Sequence, residues 1–214
     1  MPEIVEVSVF RFDELDDEAK AKARDWYREG AFDYPWYEFV YDDFERICDL
    51  IGIRLKSSAV RLMGGGTRPK PNIYFRGFWS QGDGACFEGQ YTYRKGAGRA
   101  IREHAPTDRD LHRIVDDLTG VQRRNFYQLT ANATHRGHYY HEYCMSIDVE
   151  RDSPNCMDLS SDAEEVVKEA LRDLARWLYR QLERQYDYLN SDACIDEVIE
   201  ANGYRFREGG SFYG

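Results

Sequence analysis

Residues 72–93 read NIYFRGFWSQGDGACFEGQYTY, and this stretch decides the fold that the sequence predicts. Residues 72–79 and 85–93 both alternate apolar and polar side chains, which is typical of half-buried β-strands. The residues between them end in Asp83-Gly84, a dipeptide that favours a hairpin turn. We therefore expect an antiparallel hairpin here, with a β-sheet as the central element of the fold.

Further strands are indicated on both sides of this hairpin. Residues 127–134 and 139–149 show the same alternation across a turn at Arg136-Gly137, which predicts a second hairpin. Residues 4–12 and 53–63 predict two more strands, and residues 204–206 predict an edge strand. The sequence thus supplies enough strands for an antiparallel sheet.

Helical segments flank these strands. Apolar side chains at helical spacing predict helices that end at Gly30, Gly52 and Gly120, where glycine favours a helix C-cap. A longer helix is expected to begin after Ser161, and a short one after Ser191. We therefore expect an α+β fold, in which an antiparallel β-sheet of hairpins is covered by helices from the N-terminal and C-terminal segments.

The length and composition fit a single domain over residues 1–214. A chain of 214 residues with 42% hydrophobic residues can bury one core without dividing. The glycines and prolines of residues 64–71 predict a flexible loop, and no Lys-Ser or Lys-Thr pair follows the glycines as a phosphate-binding loop would require. Residues 209–214 are expected to form a loose tail.

The charge and the cysteines restrict the environment and the partners. No run approaches about 20 apolar residues, and the N-terminus lacks a signal-peptide pattern, so we expect a cytoplasmic protein without membrane contact. The five scattered cysteines fit reduced thiols. A net charge of −10 repels phosphate backbones, so nucleic acid is not expected as a partner, although a local basic patch could still bind it.

Cys86 is the candidate nucleophile of an enzyme. It follows a Gly-Asp-Gly-Ala run whose backbone N–H groups could stabilise an oxyanion. His138, or one of its neighbours His135 and His141, would act as the base, and Asp83 would orient it. Because a cysteine in a strand usually behaves as a small apolar residue, and Asp-Gly is an ordinary turn, the catalytic role is an alternative and not the leading hypothesis.

The same three histidines are the candidate ligands of a divalent metal ion. In a regular strand successive side chains point to opposite faces, which would place His138 and His141 apart. Their spacing also matches no established ligand pattern. We therefore predict no metal and no cofactor, with His135, His138 and His141 as the candidate ligands if a metal were bound.

Arginines and aromatic residues provide candidate binding residues. Basic side chains gather in residues 99–124 beside Phe126 and Tyr127, which favours a nucleotide-binding module, whereas the interleaved acids favour a solvated helix face. Trp36 and Trp79 fit apolar faces, so we assign both to the core. The candidate binding residues are Gln81, Asp83, Tyr140, Arg123 and Arg124.

Three segments of the chain form motifs. They are FDEL at residues 12–15 followed by DEAK at residues 17–20, SQGDGACF at residues 80–87, and IEANGYRF at residues 199–206. Together they resemble a family of small, uncharacterised proteins encoded by tailed bacteriophages and prophages. The resemblance implies a phage or prophage origin and a place in the cytosol of a bacterial host, and it supplies no catalytic residues.

The leading hypothesis is a phage or prophage accessory protein that acts by stoichiometric binding to a host protein. An inhibitor of a host defence system, of the anti-CRISPR or antitoxin kind, is one such role, and it needs no cofactor. The alternatives are a small Cys/His-dependent hydrolase or transferase and a nucleotide-binding module that sequesters a signalling nucleotide. The sequence leaves the oligomeric state open, a dimer included.

Overall fold

A computed structural model of the chain describes residues 6–30 and 32–214. Helices and antiparallel strand pairs occur together in these residues, which confirms the predicted α+β fold. The helices are α1 (Asp17–Gly30), α2 (Glu38–Ile51), α3 (Ala97–His104), α4 (Arg109–Arg124), α5 (Ala163–Asn190) and α6 (Asp192–Ala201). The strands are β1 (Ile53–Leu55), β2 (Ser57–Arg61), β3 (Thr67–Pro71), β4 (Ile73–Arg76), β5 (Gly84–Phe87), β6 (Gly89–Thr92), β7 (Leu129–His135) and β8 (Met145–Arg151). Within the described ranges, no helix is long and apolar enough to cross a membrane.

The residues of the chain group into two compact units. The first unit comprises the residues up to Glu38 together with Glu183–Gly214, and the second comprises Phe39–Leu182. All the strands named above belong to the second unit. The expectation of one domain over residues 1–214 remains a prediction.

The largest sheet of the second unit has the strand order β1-β6-β7-β8. Strands β7 and β8 form the predicted second hairpin, in which Leu129 lies opposite Arg151 and His135 opposite Met145. The prediction that its second strand begins at residue 139 is wrong. Glu142–Cys144 form a 3₁₀ helix instead, because the His141 side chain accepts a hydrogen bond from the Tyr143 N–H and caps this turn.

Helices α2, α4 and α5 supply apolar residues to the core of the second unit. Phe44 of α2 meets Phe87 of β5 edge to face, with ring centroids 5.3 Å apart. On α4 the fully buried Gln122 binds both backbone groups of Leu129, donating to its carbonyl at 2.8 Å and accepting from its N–H at 3.1 Å. Because both ends of this buried amide are satisfied, it fixes the start of β7 against α4. The apolar face predicted for α5 is confirmed as buried at Val167, Leu171, Leu174, Leu178 and Leu182.

An additional helix and a longer α4 distinguish the structure from the predictions. Helix α3 was not predicted, and α4 is capped by Asp108, whose Oδ1 accepts the Leu111 N–H at 3.0 Å. Helix α4 also continues through Gly120 to Arg124. The buried neighbours Leu118 and Val121 explain this, since their packing outweighs the cost of about 1 kcal/mol that an internal glycine carries.

Three strands exchange partners at one point, which we call the strand junction and which consists of Lys56, Asn72 and Glu88. The Lys56 N–H donates to the Glu88 carbonyl at 2.9 Å, the Glu88 N–H to Asn72 at 2.9 Å, and the Asn72 N–H to Lys56 at 2.8 Å. These bonds close a ring. On its three sides β1 pairs with β6, β2 with β3, and β4 with β5.

The arm formed by β2 and β3 corrects the prediction of a flexible loop at residues 64–71. Residues 67–71 form β3, which pairs with β2 from Thr67 opposite Arg61 to Pro71 opposite Ser57. Two prolines are tolerated here because β3 pairs with one strand alone. Pro69 and Pro71 are two residues apart, so both can occupy positions where an N–H would point away from the partner strand.

The predicted first hairpin also has a different connection. Strands β4 and β5 pair with Tyr74 opposite Cys86 and Arg76 opposite Gly84, and residues 77–83 form the loop between them. Asp83-Gly84 is therefore not the two-residue turn that was expected. Residues 89–92 leave this hairpin at the strand junction and pair with β1 and β7 as β6.

The first unit has a core of its own. Phe12, Ala19 and Ala23 pack with Ile195, Ile199 and Phe206. Ile4 and Val5, the start of the strand predicted at residues 4–12, lie outside the described residues. Of the remainder, Phe10 makes an isolated antiparallel bridge with Phe206 and Phe12–Glu14 form a 3₁₀ helix, so residues 6–12 are not the predicted strand.

The tail of the chain is packed, which corrects the prediction that residues 209–214 are loose. Phe212 stacks on Trp26 of α1 with ring centroids 4.0 Å apart and planes 9° apart. It also bridges to Phe206 through the backbone, and Gly210 is buried against the Ala19 backbone. The Phe212 ring keeps 36% of its surface exposed, and its contacts with the Trp26 and Phe206 rings hold this part of the tail in place.

We expect Phe212→Ala to lower the free energy of unfolding of the first unit by about 1–2 kcal/mol, because it removes a stacked aromatic pair. The matched control is Tyr213→Ala, which removes a neighbouring ring of similar exposure, 44% against 36%, that contacts no other ring of the described residues and should change stability by less than about 0.5 kcal/mol. Urea unfolding monitored by tryptophan fluorescence measures both. Equal stabilities of the two variants would contradict the packed tail.

Candidate functional site

The loop of residues 77–83, which we call the Trp79 loop, carries the first half of the SQGDGACF motif, and β5 carries the second half. Asp83 organises it. One carboxylate oxygen, Oδ2, accepts the backbone N–H of Trp79 at 2.9 Å and that of Ser80 at 2.6 Å, while the Asp83 N–H donates to the Ser80 carbonyl at 3.1 Å. The negative charge strengthens both carboxylate bonds. The loop is thus closed on itself by one side chain.

Close backbone contacts hold the Trp79 loop against residues 139–141. Gly82 has a φ of +88°, and a Cβ atom there would collide with the Tyr139 ring. A Cβ atom on Gly84 would lie 2.6 Å from the Cα of His141. The Tyr140 N–H donates to the Gly82 carbonyl at 3.4 Å. The two glycines of the motif are therefore required by packing, which explains why the sequence has no side chains there.

Aromatic side chains support the base of the Trp79 loop. Phe78 contacts Phe75 at 5.0 Å and Tyr179 of α5 at 5.6 Å between ring centroids, and the Tyr179 hydroxyl donates to the Gly77 carbonyl at 3.3 Å. Trp79 meets Phe78 edge to face at 5.8 Å, yet 76% of its surface is exposed. The assignment of Trp79 to the core is wrong, whereas that of Trp36 is confirmed at 9% exposure.

The Glu88 carboxylate is the second feature of this region. Its Oε1 accepts the His135 N–H at 3.0 Å, and its Oε2 accepts the Asn72 side-chain amide at 2.6 Å and the Tyr74 hydroxyl at 3.3 Å. Partial burial alone would raise the pKa of Glu88, but the bonds from His135 and Asn72 and the charge of Lys56 outweigh it and lower this pKa. The carboxylate therefore ties β7 to the strand junction.

Cys86 lies in the interior, where the structure gives it no basic partner. Its side chain is fully buried, and burial raises the pKa of its thiol to about 12, with further contributions from Cys144 and Glu88. In the described part of the chain no hydrogen bond joins Cys86 to a histidine, and Asp83 is engaged by the Trp79 loop. A thiol with this pKa stays protonated at neutral pH, which argues against the nucleophile hypothesis.

The three candidate histidines do not converge. His135 makes tilted ring contacts with Tyr74 and Tyr140, at 4.9 and 5.2 Å between centroids, and its Nε2 lies 2.8 Å from the Tyr139 carbonyl. His138 is exposed. His141 lies against the Cys144 sulfur, 3.5 Å from its Nε2. Over residues 6–30 and 32–214, no group of three or more His, Cys, Asp or Glu side chains could hold a metal ion.

The His141–Cys144 contact was not predicted, because the pair forms only within a 3₁₀ turn. The Nδ1 of His141 accepts the Tyr143 N–H at 3.2 Å and lies 3.7 Å from the Cys144 sulfur, while Nε2 lies 3.5 Å from that sulfur. The sulfur is therefore nearly equidistant from the two ring nitrogens. The contact belongs to the capped 3₁₀ turn of Glu142–Cys144.

The arginines of residues 99–124 are mostly neutralised. Arg99 pairs with Glu103, Arg102 with Asp116, Arg113 with Asp173, and Arg124 with Asp162, whereas Arg123 is exposed in the last turn of α4. Of the candidate binding residues, Gln81, Asp83 and Tyr140 come together around the Trp79 loop. Carboxylate pairing leaves little of this arginine charge for a nucleotide phosphate.

A family model described as a domain of unknown function, DUF8835, matches residues 36–192. The chain belongs to the DUF8835 family. The match covers the strand junction, the Trp79 loop and the β2–β3 arm, so these features belong to the DUF8835 segment of the chain. Comparison with curated proteins and with solved structures finds no match.

We expect iodoacetamide at neutral pH to label the exposed Cys156 first and Cys86 only after unfolding, because the Cys86 thiol is buried and its pKa is raised to about 12. Mass spectrometry of timed digests measures each site. The urea-unfolded protein is the control, in which all five cysteines should react at similar rates. Folded-state labelling of Cys86 as fast as Cys156 would restore the nucleophile hypothesis.

Glu88→Gln should destabilise the second unit by about 1–2 kcal/mol at neutral pH, since a glutamine cannot accept from both His135 and Asn72. The pKa of Glu88 is lowered by folding, so its contribution is present above the unfolded pKa of about 4.3 and is lost as the pH falls through the folded value. Wild type and variant should therefore converge in stability from about pH 5 towards pH 3.

Urea unfolding of wild type and Glu88→Gln across this pH range measures the difference, with Glu150→Gln at an exposed position as the control. A constant difference between Glu88→Gln and wild type would contradict the network.

Proposed function

We propose that the protein acts by stoichiometric binding to a partner protein through the Trp79 loop. The observation that carries the proposal is a tryptophan that is 76% exposed on a loop fixed by hydrogen bonds and close packing. Tryptophan is among the residues that contribute most to binding when they are buried by a partner. A side chain held in place before binding also loses less conformational entropy on binding.

The surroundings of Trp79 support this assignment. Gln81 is exposed in the same loop, and Tyr139, which packs on Gly82, is 48% exposed. An aromatic anchor with adjacent amide and hydroxyl groups is the composition of a protein-binding surface with polar contacts at its edge. The Asp83 carboxylate is used to build the loop, so the surface itself presents neutral groups at this point.

The partner class follows from the resemblance of the motifs. The SQGDGACF segment, which builds the loop, resembles proteins of tailed phages and prophages, so we propose a host protein as the partner and inhibition of a host defence component as the effect. The bacterial cytosol is then the place of action. A catalytic role for Cys86 receives no support from its buried, protonated thiol.

Trp79→Ala should weaken binding to the partner at least about 30-fold, the effect of losing about 2 kcal/mol at a central anchor. The test is affinity capture of the tagged full chain from a bacterial lysate with quantitative mass spectrometry, followed by titration of the purified partner. Phe39→Ala is the matched control, because Phe39 is 81% exposed on α2 and its loss should leave binding unchanged.

Light scattering of the purified complex measures the ratio of the two proteins, which should be constant across preparations. A partner retained equally by Trp79→Ala, or processed with turnover by substoichiometric protein, would contradict the proposal. Failure to capture any protein with the wild-type chain would do the same.

A further inference from the structure

The stretch of residues 50–82 has a charge opposite to that of the whole chain. Six of the 29 Lys and Arg residues lie in it, and none of the 39 Asp and Glu residues does. All six side chains belong to exposed residues, which are Arg54, Lys56, Arg61, Arg68, Lys70 and Arg76.

The cations of this stretch are available for a ligand. In the described parts of the chain none of the six forms an ion pair, whereas most arginines of the helices do, as Arg24, Arg113 and Arg176 do with carboxylates at 2.7 Å or less. An unpaired cation does not have to break an existing ion pair to bind an anion.

The β2–β3 arm presents three of these six cations, Arg61, Arg68 and Lys70, on a ribbon with both faces in solvent. Every residue of β2 is exposed, as is β3 as far as Lys70. Cross-strand neighbours share a face, so Arg68 and Lys70 lie on one face with Val60 and Ser58, and Arg61 lies on the other with Thr67. At the tip, Leu62 is 44% exposed and Met63 fully so. Five paired residues give the ribbon a length of about 16 Å.

We propose that the β2–β3 arm binds double-stranded DNA by lying in the major groove. Unpaired cations on both faces of one ribbon suit a ligand that surrounds it with phosphates, and the B-form major groove admits a two-stranded ribbon. The exposed Leu62 and Met63 at the tip provide apolar contact to base edges.

Other polyanions fit the arm less well. The major groove of A-form RNA is too deep and narrow for side chains to read. Single-stranded nucleic acid is bound on aromatic stacking platforms, and residues 57–71 contain no aromatic residue. The same lack of aromatic anchors distinguishes the arm from a surface for an acidic protein.

The net charge of −10 does not prevent this binding. Screening reduces interactions between exposed charges beyond about 10 Å at 0.1 M salt, and the ribbon is about 16 Å long. The phosphates nearest the outer half of the arm therefore experience mainly the cations of the arm. The arm and the Trp79 loop share no residue, so variants of one leave the residues of the other unchanged, and either binding activity can fail without the other.

Fluorescence anisotropy of a labelled duplex of about 30 base pairs, titrated with the full chain between about 50 and 200 mM salt, tests the proposal. The triple variant Arg61→Ala, Arg68→Ala, Lys70→Ala should bind at least about tenfold more weakly, with a slope of log K against log salt shallower by about 3.

The control variant Lys95→Ala, Arg109→Ala, Arg136→Ala removes the same charge from exposed positions outside the arm and should bind like wild type. Arg61→Lys with Arg68→Lys should retain the slope, and circular dichroism verifies folding of each protein.

Three results would overturn the proposal. One is the absence of duplex binding by the wild-type chain at about 50 mM salt. Another is an equal loss of affinity in the two triple variants, which would reflect net charge alone. The third is binding of duplex RNA, single-stranded DNA or polyglutamate as tight as that of duplex DNA, which would reassign the arm to another polyanion or to an acidic protein.

Discussion

The closed ring of backbone hydrogen bonds among Lys56, Asn72 and Glu88 is the constraint on which the second unit depends. Each of these residues ends one strand pairing and begins another, so three short antiparallel pairs grow outward from one point. Because every buried backbone group needs a partner, the exchange is tolerable only if all three residues meet. The Glu88 carboxylate stabilises the strand junction further, because it accepts a hydrogen bond from the backbone N–H of His135 in strand β7.

Two of the three pairs that leave the junction present groups to solvent in different ways. The β4–β5 pair ends in the Trp79 loop, where Asp83 and close glycine contacts fix a single aromatic side chain. The β2–β3 pair extends as a ribbon that has no packed face and exposes cations. The third pair joins the four-stranded sheet and the core. One rigid point thus supports both candidate binding surfaces, which lowers the entropy lost when either is covered.

The ion pairs distinguish arginines that bind carboxylates of the fold from cations that are exposed to a ligand. Most arginines in α3, α4 and α5 form ion pairs with carboxylates, as Arg102 does with Asp116 and Arg113 with Asp173. Residues 50–82 lack acidic residues altogether, so their cations have no local partner. Carboxylates pair with most arginines of residues 99–124, whereas the basic stretch is not evident from the net charge of −10, because acids elsewhere in the chain outnumber its cations.

The sequence by itself determined the α+β class, the buried face of α5, the cap at Ser191 and the β7–β8 hairpin, since helix and strand periodicities and caps are properties of neighbouring residues. It also brought Gln81, Asp83 and Tyr140 into consideration, although not their roles. Only the tertiary structure decided that Pro69 and Pro71 lie in a strand, that Trp79 is exposed, and that Cys86 is buried. The physical reason is that the alternation of apolar and polar residues is the same for a strand whichever partner it pairs with. The exposure of a side chain and the pKa of a buried group depend instead on which residues, distant in sequence, pack against them.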